Sequence, residues 1–256
     1  MKAFSGLLWK DFNISKVWFF GWITIVFVIY LLAFGLGEYF NEPAVVLPFV
    51  VMLGFFHFAF IPVLIYSMLR VEGKTQLWLH SPHSGVKLLL SKMIIAFLYS
   101  SVSLLIVDGL GLLSLSWQKE VLPYLPWKEG IFFNLGVMSS SIYLGCWLIF
   151  YWTFYHFLGK FPQVKNFRWL LLVGIFIGYQ FLSALMIKVK WFMDIYEGWT
   201  INVSRGFFLS GDPGNSNFEI SSEAINIPII PFISYFIVMV SVFYLSSWLL
   251  DRKVEV

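Results

Sequence analysis

The chain has 256 residues, 59% of them hydrophobic and 21% aromatic, with only 12% charged and a formal net charge of +3. A soluble domain carries about 25% charged residues, so this composition excludes an ordinary water-soluble fold. The deficit falls in apolar runs long enough to cross a bilayer, and the chain reads as an integral membrane protein.

In chain order, residues 3–14, "AFSGLLWKDFNI", place Phe4, Leu7, Leu8 and Phe12 on one helical face, with Lys2, Lys10 and Asp11 turned away from it. This pattern predicts an interfacial amphipathic helix lying flat ahead of the first span. Six spans follow, over residues 17–37, 44–69, 89–117, 131–158, 167–187 and 228–250. Each exceeds the roughly 20 helical residues that a bilayer core of about 30 Å requires. The first is too long for the apolar part of a signal peptide and is followed by no small-residue cleavage site. The runs do not alternate with a period of two, which excludes a membrane β-barrel. The single cysteine, Cys146, lies inside an apolar run and carries no information about redox compartment.

With six spans the termini share a side. Twelve of the 17 Lys and Arg residues fall on that side, among them Lys2, Lys10, Arg70, Lys74, Lys160 and Lys253, against five on the other, Lys119, Lys128, Lys188, Lys190 and Arg205. The positive-inside rule then places both termini in the cytoplasm of a cell-membrane protein. Most acidic residues, Glu38, Glu120 and Asp194 among them, take the opposite side. There the outer stretch 188–227 begins with the aromatic "KWFMDIYEGW", which suggests short elements dipping into the interface. Its second half, around "SGDPGNSN", reads as loop.

The most water-loving internal stretch is "RVEGKTQLWLHSPHSGVKLLLSK", residues 70–92. Gly73-Lys74-Thr75 ends like a phosphate-binding loop, but Met68 stands where the first glycine of that motif belongs, and a membrane helix rather than a strand leads in. His80 and His83 have no carboxylate or cysteine nearby to complete a metal site. No metalloprotease helix or serine-nucleophile turn occurs, so a catalytic inventory is close to empty. Leu77, Trp78, Leu79 and Pro82, ringed by charge, instead have the composition of a docking patch.

Within the spans, ionisable residues are costly and become candidates for function. Asp108 in "LLIVDGLGLL" and His57 in "GFFHFAF" border a possible pathway on this reading, and His156 lies near the inner end of the fourth span. Each has the alternative of a helix-to-helix hydrogen bond. Gly174, Gly178, Gly136, Ser140 and Gly145 suit close helix approach, for which packing is a sufficient reason.

The order of these features resembles the permease subunit of a type-2 ATP-binding cassette (ABC) exporter. The sequence likeness is concentrated in "EGKTQLWLHSPHS" (Glu72 to Ser84) and "LLLSK" (Leu88 to Lys92). It implies an all-α integral membrane protein, a single permease domain over residues 1–256, with an interfacial helix (1–15), a cytoplasmic coupling segment (70–90) and a partly re-entrant outer segment (188–227). Glu72, Thr75, Leu77, Trp78, Ser81 and Pro82 would engage a separate ATPase subunit, which would bind the ATP and magnesium; this chain would hold no cofactor or metal and catalyse nothing itself. Its partners would be that ATPase, a second permease protomer and the lipid bilayer, with no nucleic acid. The aromatic, charge-poor interior suits hydrophobic or amphipathic cargo. Two other classes stay open: a membrane-embedded enzyme using Asp108 with a span histidine, and a non-transporting sensor or assembly subunit.

Overall fold

The computed structural model describes residues 2–42, 45–75, 83–116, 127–190, 193, 198–211 and 218–253. Six long helices carry it: α1 (Lys2–Phe40), α2 (Val46–Thr75), α3 (Gly85–Ser116), α4 (Trp127–Leu158), α5 (Arg168–Lys188) and α6 (Ile230–Lys253). All six are long and apolar enough to cross a membrane, so the expected spans are present. Two compact units emerge, one of residues 1–165 with 241–256 and the other of residues 166–240.

In the first unit, α2 is the central helix. Its residues Phe60, Ile61, Leu64, Ile65 and Met68 pack with Leu88, Leu89 and Tyr99 of α3, Ile149 of α4, Phe19 of α1 and Leu250 of α6. Lipid tails are as apolar as these side chains, so close van der Waals fit and inter-helix hydrogen bonds, rather than escape from water, hold such a bundle. The fit is close at Gly145, where a Cβ would lie 3.0 Å from Ile65 Cδ1 and 3.2 Å from Ile61 Cγ2. One turn away the Ile61 N–H donates to Ser141 Oγ at 3.3 Å, next to Pro62, which itself has no N–H to give. Gly136, Gly174 and Gly178 have no such neighbour within 4 Å.

The first amphipathic segment is helical, as its pattern predicts, but it is not a separate element. At 39 residues α1 runs unbroken from Lys2 to Phe40, about 58 Å at 1.5 Å per residue, so its first turns are continuous with the span. Neither proline nor any other helix breaker occurs between the two parts. The face it buries also differs from the expectation. Leu7, Asp11, Ser15, Phe19, Val26, Tyr30 and Ala33 form the buried stripe, while Phe12 is exposed. Assigning the face by hydrophobicity fails because Asp11 finds cations and a hydroxyl inside the bundle.

The second unit holds α5, preceded by a 3₁₀ turn at Lys165–Phe167, the start of α6, and an antiparallel hairpin. Strand β1 (Thr200–Gly211) pairs with β2 (Phe218–Pro228) from Thr200↔Pro228 to Gly211↔Phe218, with an irregularity between Val203 and Gly206. The spans are all helical, so the helical class holds for the membrane-crossing part, and the hairpin is an addition to it. Reading the second half of 188–227 as loop is corrected here. Ile201, Val203, Phe207 and Phe208 on one side, and Ile220, Ile225 and Ile227 on the other, are strand-favouring residues flanking the turn-forming "DPGNSN".

Candidate functional site

The bundle end where α2 stops and α3 starts is built around four ionised side chains. Asp11 of α1, Glu72 of α2 and Lys92 of α3 are all buried, at 0%, 3% and 1% exposure, and Lys10 of α1 is partly exposed. Lys92 Nζ lies 2.7 Å from Glu72 Oε2 and 3.1 Å from Asp11 Oδ1, so one ammonium bridges two helices. Lys10 Nζ donates to Glu72 Oε1 and sits 3.6 Å from Asp11 Oδ1. Ser91 Oγ donates to Asp11 Oδ2. Two cations therefore balance two anions, and each of the four carboxylate oxygens has a donor.

That completeness is what permits the burial. An ion taken from water into a low-dielectric interior loses several kcal/mol of hydration, and only tight pairing with full hydrogen bonding offsets it. The local sequence arranges this simply. Asp11 and Ser15 are one turn apart on the buried stripe of α1, with Ser15 Oγ donating to Asp11 O at 2.7 Å. Ser91 and Lys92 are adjacent on α3, two turns after its start, and Tyr99 OH two turns further on donates to Phe12 O at 3.1 Å.

A second tie joins α3 to the end of α6. Lys87 N–H and Leu88 N–H donate to Ser84 O at 2.9 and 3.1 Å, which makes Ser84 the residue that opens α3. The free N–H of Gly85 donates to Asp251 Oδ1 at 2.5 Å. A carboxylate at a helix N-terminus satisfies an orphan donor and complements the helix dipole. Gly85 is required for this approach, since a Cβ there would lie 2.9 Å from both Asp251 Oδ1 and Ser247 O. Asp251→Ala is expected to lower stability by about 1 kcal/mol, as for loss of a helix cap. Asp251→Asn, which keeps an accepting oxygen, should lose less; thermal melts of the two variants against wild type make the comparison.

Among the residues singled out from the sequence, Glu72 lies inside the ion cluster, and Thr75 ends α2 exposed, its Oγ1 donating to Val71 O at 2.8 Å. Leu77, Trp78, Ser81 and Pro82 lie outside the described residues. The cluster joins Glu72 to three residues that the sequence reading did not treat as a site: Asp11, Ser91 and Lys92. It also recruits Lys10, which that reading assigned to a water-facing side.

His57 and Asp108 occupy different surroundings. His57 is completely buried. Its Nδ1 lies 2.8 Å from Leu53 O, which can only accept, so Nδ1 carries a proton. Nε2 then accepts from Ser103 Oγ at 2.8 Å, and Ser103 Oγ accepts from Trp22 Nε1 at 2.8 Å. One neutral tautomer satisfies this whole chain, which knits α1, α2 and α3 together. Asp108 is only partly buried, and its Oδ2 accepts from Asn134 Nδ2 of α4 at 2.7 Å. The two groups thus have different hydrogen-bond partners.

These features define a multi-pass helical membrane protein whose α1, α2, α3 and α6 are fastened together beside the α2–α3 connection. The chain is 28% identical over 268 aligned residues to the uncharacterized protein YhcE of Bacillus subtilis (strain 168), with all of both chains covered. No protein-family model and no solved structure matches it.

Proposed function

We propose that this chain is the membrane-spanning subunit of an ABC exporter, driven by a separate ATPase that docks on the α2–α3 connection at the cytoplasmic face of the cell membrane. One observation carries this reading: both ends of that connection are anchored in the bundle. Glu72, three residues before the end of α2, is held to α1 and α3 through Lys10 and Lys92, and Gly85, at the start of α3, is held to α6 through Asp251. A segment so fastened passes a push on to four helices at once instead of flexing alone. That is what a coupling segment must do, because nucleotide binding performs work only by favouring one of two arrangements of the membrane part. A cluster of buried ions also sets helix register more strictly than an apolar plug would, at a cost in desolvation.

On this reading ATP and magnesium belong to the ATPase, two permease copies form the pathway, and the cargo is hydrophobic or amphipathic. Trp78 and Leu77, apolar groups in an otherwise largely polar connection, anchor the ATPase. Removing a buried aromatic anchor typically costs about 2 kcal/mol or more, equivalent to roughly thirty-fold in affinity. Trp78→Ala is therefore expected to weaken co-purification of the ATPase by that factor at limiting concentration while membrane insertion stays intact. An unchanged complex would overturn the docking assignment, and the absence of any ATPase from complexes isolated with the natural chain would overturn the exporter reading itself.

A further inference from the structure

An open cleft of about 310 Å³ runs between α3 and α4, lined by Phe97, Ser101, Ile131, Asn134, Leu135 and Met138. Its walls are apolar apart from Ser101, whose hydroxyl is already given to Phe97 O, and Asn134. Asn134 carries the cleft's polar end, because it is the residue that holds Asp108. Phe97, Ser101 and Asp108 fall at spacings of four and seven on α3, which puts them on one helical face. Asp108 does not itself line the cleft; it lies on the same face of α3, about 16 Å of helix rise from Phe97, and is joined to the cleft through its hydrogen bond with Asn134.

The polar end is incomplete. Asn134 supplies one hydrogen bond, to Oδ2, and among the described residues Asp108 Oδ1 receives none. A carboxylate eight residues inside a span, about 12 Å from the helix end, is costly unless a cation or a second donor meets it. None of the six lining residues is basic. Among the described residues no Lys or Arg pairs with Asp108. What complements the site is a ligand that supplies the cation itself and fills the apolar groove behind it.

We infer that the α3–α4 cleft binds a cationic amphiphile from the bilayer, its ammonium head on the Asp108–Asn134 pair and its hydrocarbon tail along Phe97, Ile131, Leu135 and Met138. Binding does not depend on the exporter reading; that the bound molecule is cargo does rest on it. Anionic and zwitterionic amphiphiles are disfavoured, since their phosphate or sulfate would face a carboxylate that has no basic partner among the described residues. Met138, an adaptable thioether that accepts from Ser100 Oγ at 3.3 Å, suits a groove that takes tails of more than one shape.

The test uses the full chain in phosphatidylcholine nanodiscs and measures equilibrium binding of radiolabelled dodecyltrimethylammonium and of dodecyl sulfate. Wild type is expected to bind the cation saturably and at least ten-fold more tightly than the anion. Asp108→Asn should remove that preference, weakening the cation at least ten-fold with little change in the anion. Ser101→Phe, which fills the cleft away from the charged pair, should weaken both, and it remains informative if Asp108→Asn fails to fold. Equal binding of the two probes to wild type, or full cation binding by either variant in folded form, overturns the site. Co-purification of the ATPase, followed in the same preparations, reports separately on the exporter reading: its loss leaves the site standing, and loss of cation preference leaves the exporter reading standing.

Discussion

Lys92→Met is expected to destabilise the protein by about 3–5 kcal/mol, the cost of breaking a buried ion pair by removing one partner. Methionine matches lysine in length and is at ease in an apolar setting, so the loss is one of charge, not of volume. Lys92 is the cation that both buried carboxylates share, at 3.1 Å from Asp11 and 2.7 Å from Glu72. Without it two buried anions have Lys10 alone, and Lys10 is partly exposed and screened. The double substitution Lys92→Met with Asp11→Asn restores neutrality around the Lys10–Glu72 pair and should recover a large part of the lost stability. Thermal unfolding of the purified variants decides it. A single variant that melts with wild type, or a double variant less stable than the single by the full cost of Asp11→Asn alone, would show that the four charges do not act as a unit.

The spans were legible because lipid imposes one simple demand, some 20 apolar residues without charge, and "VWFFGWITIVFVIYLLAFGLG", residues 17–37, states it openly. The charged base was half legible. Glu72 stood out by its place at the start of the stretch that resembles a coupling segment; the structure gives it cations from within the chain, Lys10 and Lys92. Asp11 was hidden by the rule that carboxylates avoid buried faces. A trace of it does lie in the sequence, since the stripe Leu7, Ser15, Phe19, Val26, Tyr30 and Ala33 leaves position 11 in register with the small and apolar residues around it. No one-dimensional pattern announces that Lys92, counted toward the positive side, points inward to meet it, because that depends on how three helices pack. The hairpin was missed for a different reason. Its turn-forming centre dominated the reading of residues 200–228, while the flanking Ile, Val and Phe residues were too few to resemble a span.

On the exporter reading proposed above, Glu72→Gln is expected to leave the complex with the ATPase assembled while reducing cargo stimulation of its ATPase activity at least ten-fold. On that reading docking depends on Leu77 and Trp78, which this substitution leaves in place. Glu72, however, is the group through which the end of α2 grips both neighbouring helices. Gln is nearly isosteric, but it is neutral and presents one accepting oxygen where Glu presents two. Lys10 and Lys92 can then no longer both be held by it as charge-assisted bonds. The Lys92–Asp11 pair survives at 3.1 Å and keeps α1 joined to α3, so the bundle stays together and only the α2 end is released. Lys10→Gln should have a smaller effect, because Lys10 is 30% exposed and Lys92 still holds Glu72 at 2.7 Å. ATPase activity with and without cargo, measured on complexes of matched composition, ranks the two variants. Full stimulation in Glu72→Gln would mean that the ion cluster holds the helices together without passing on the push from the docked ATPase.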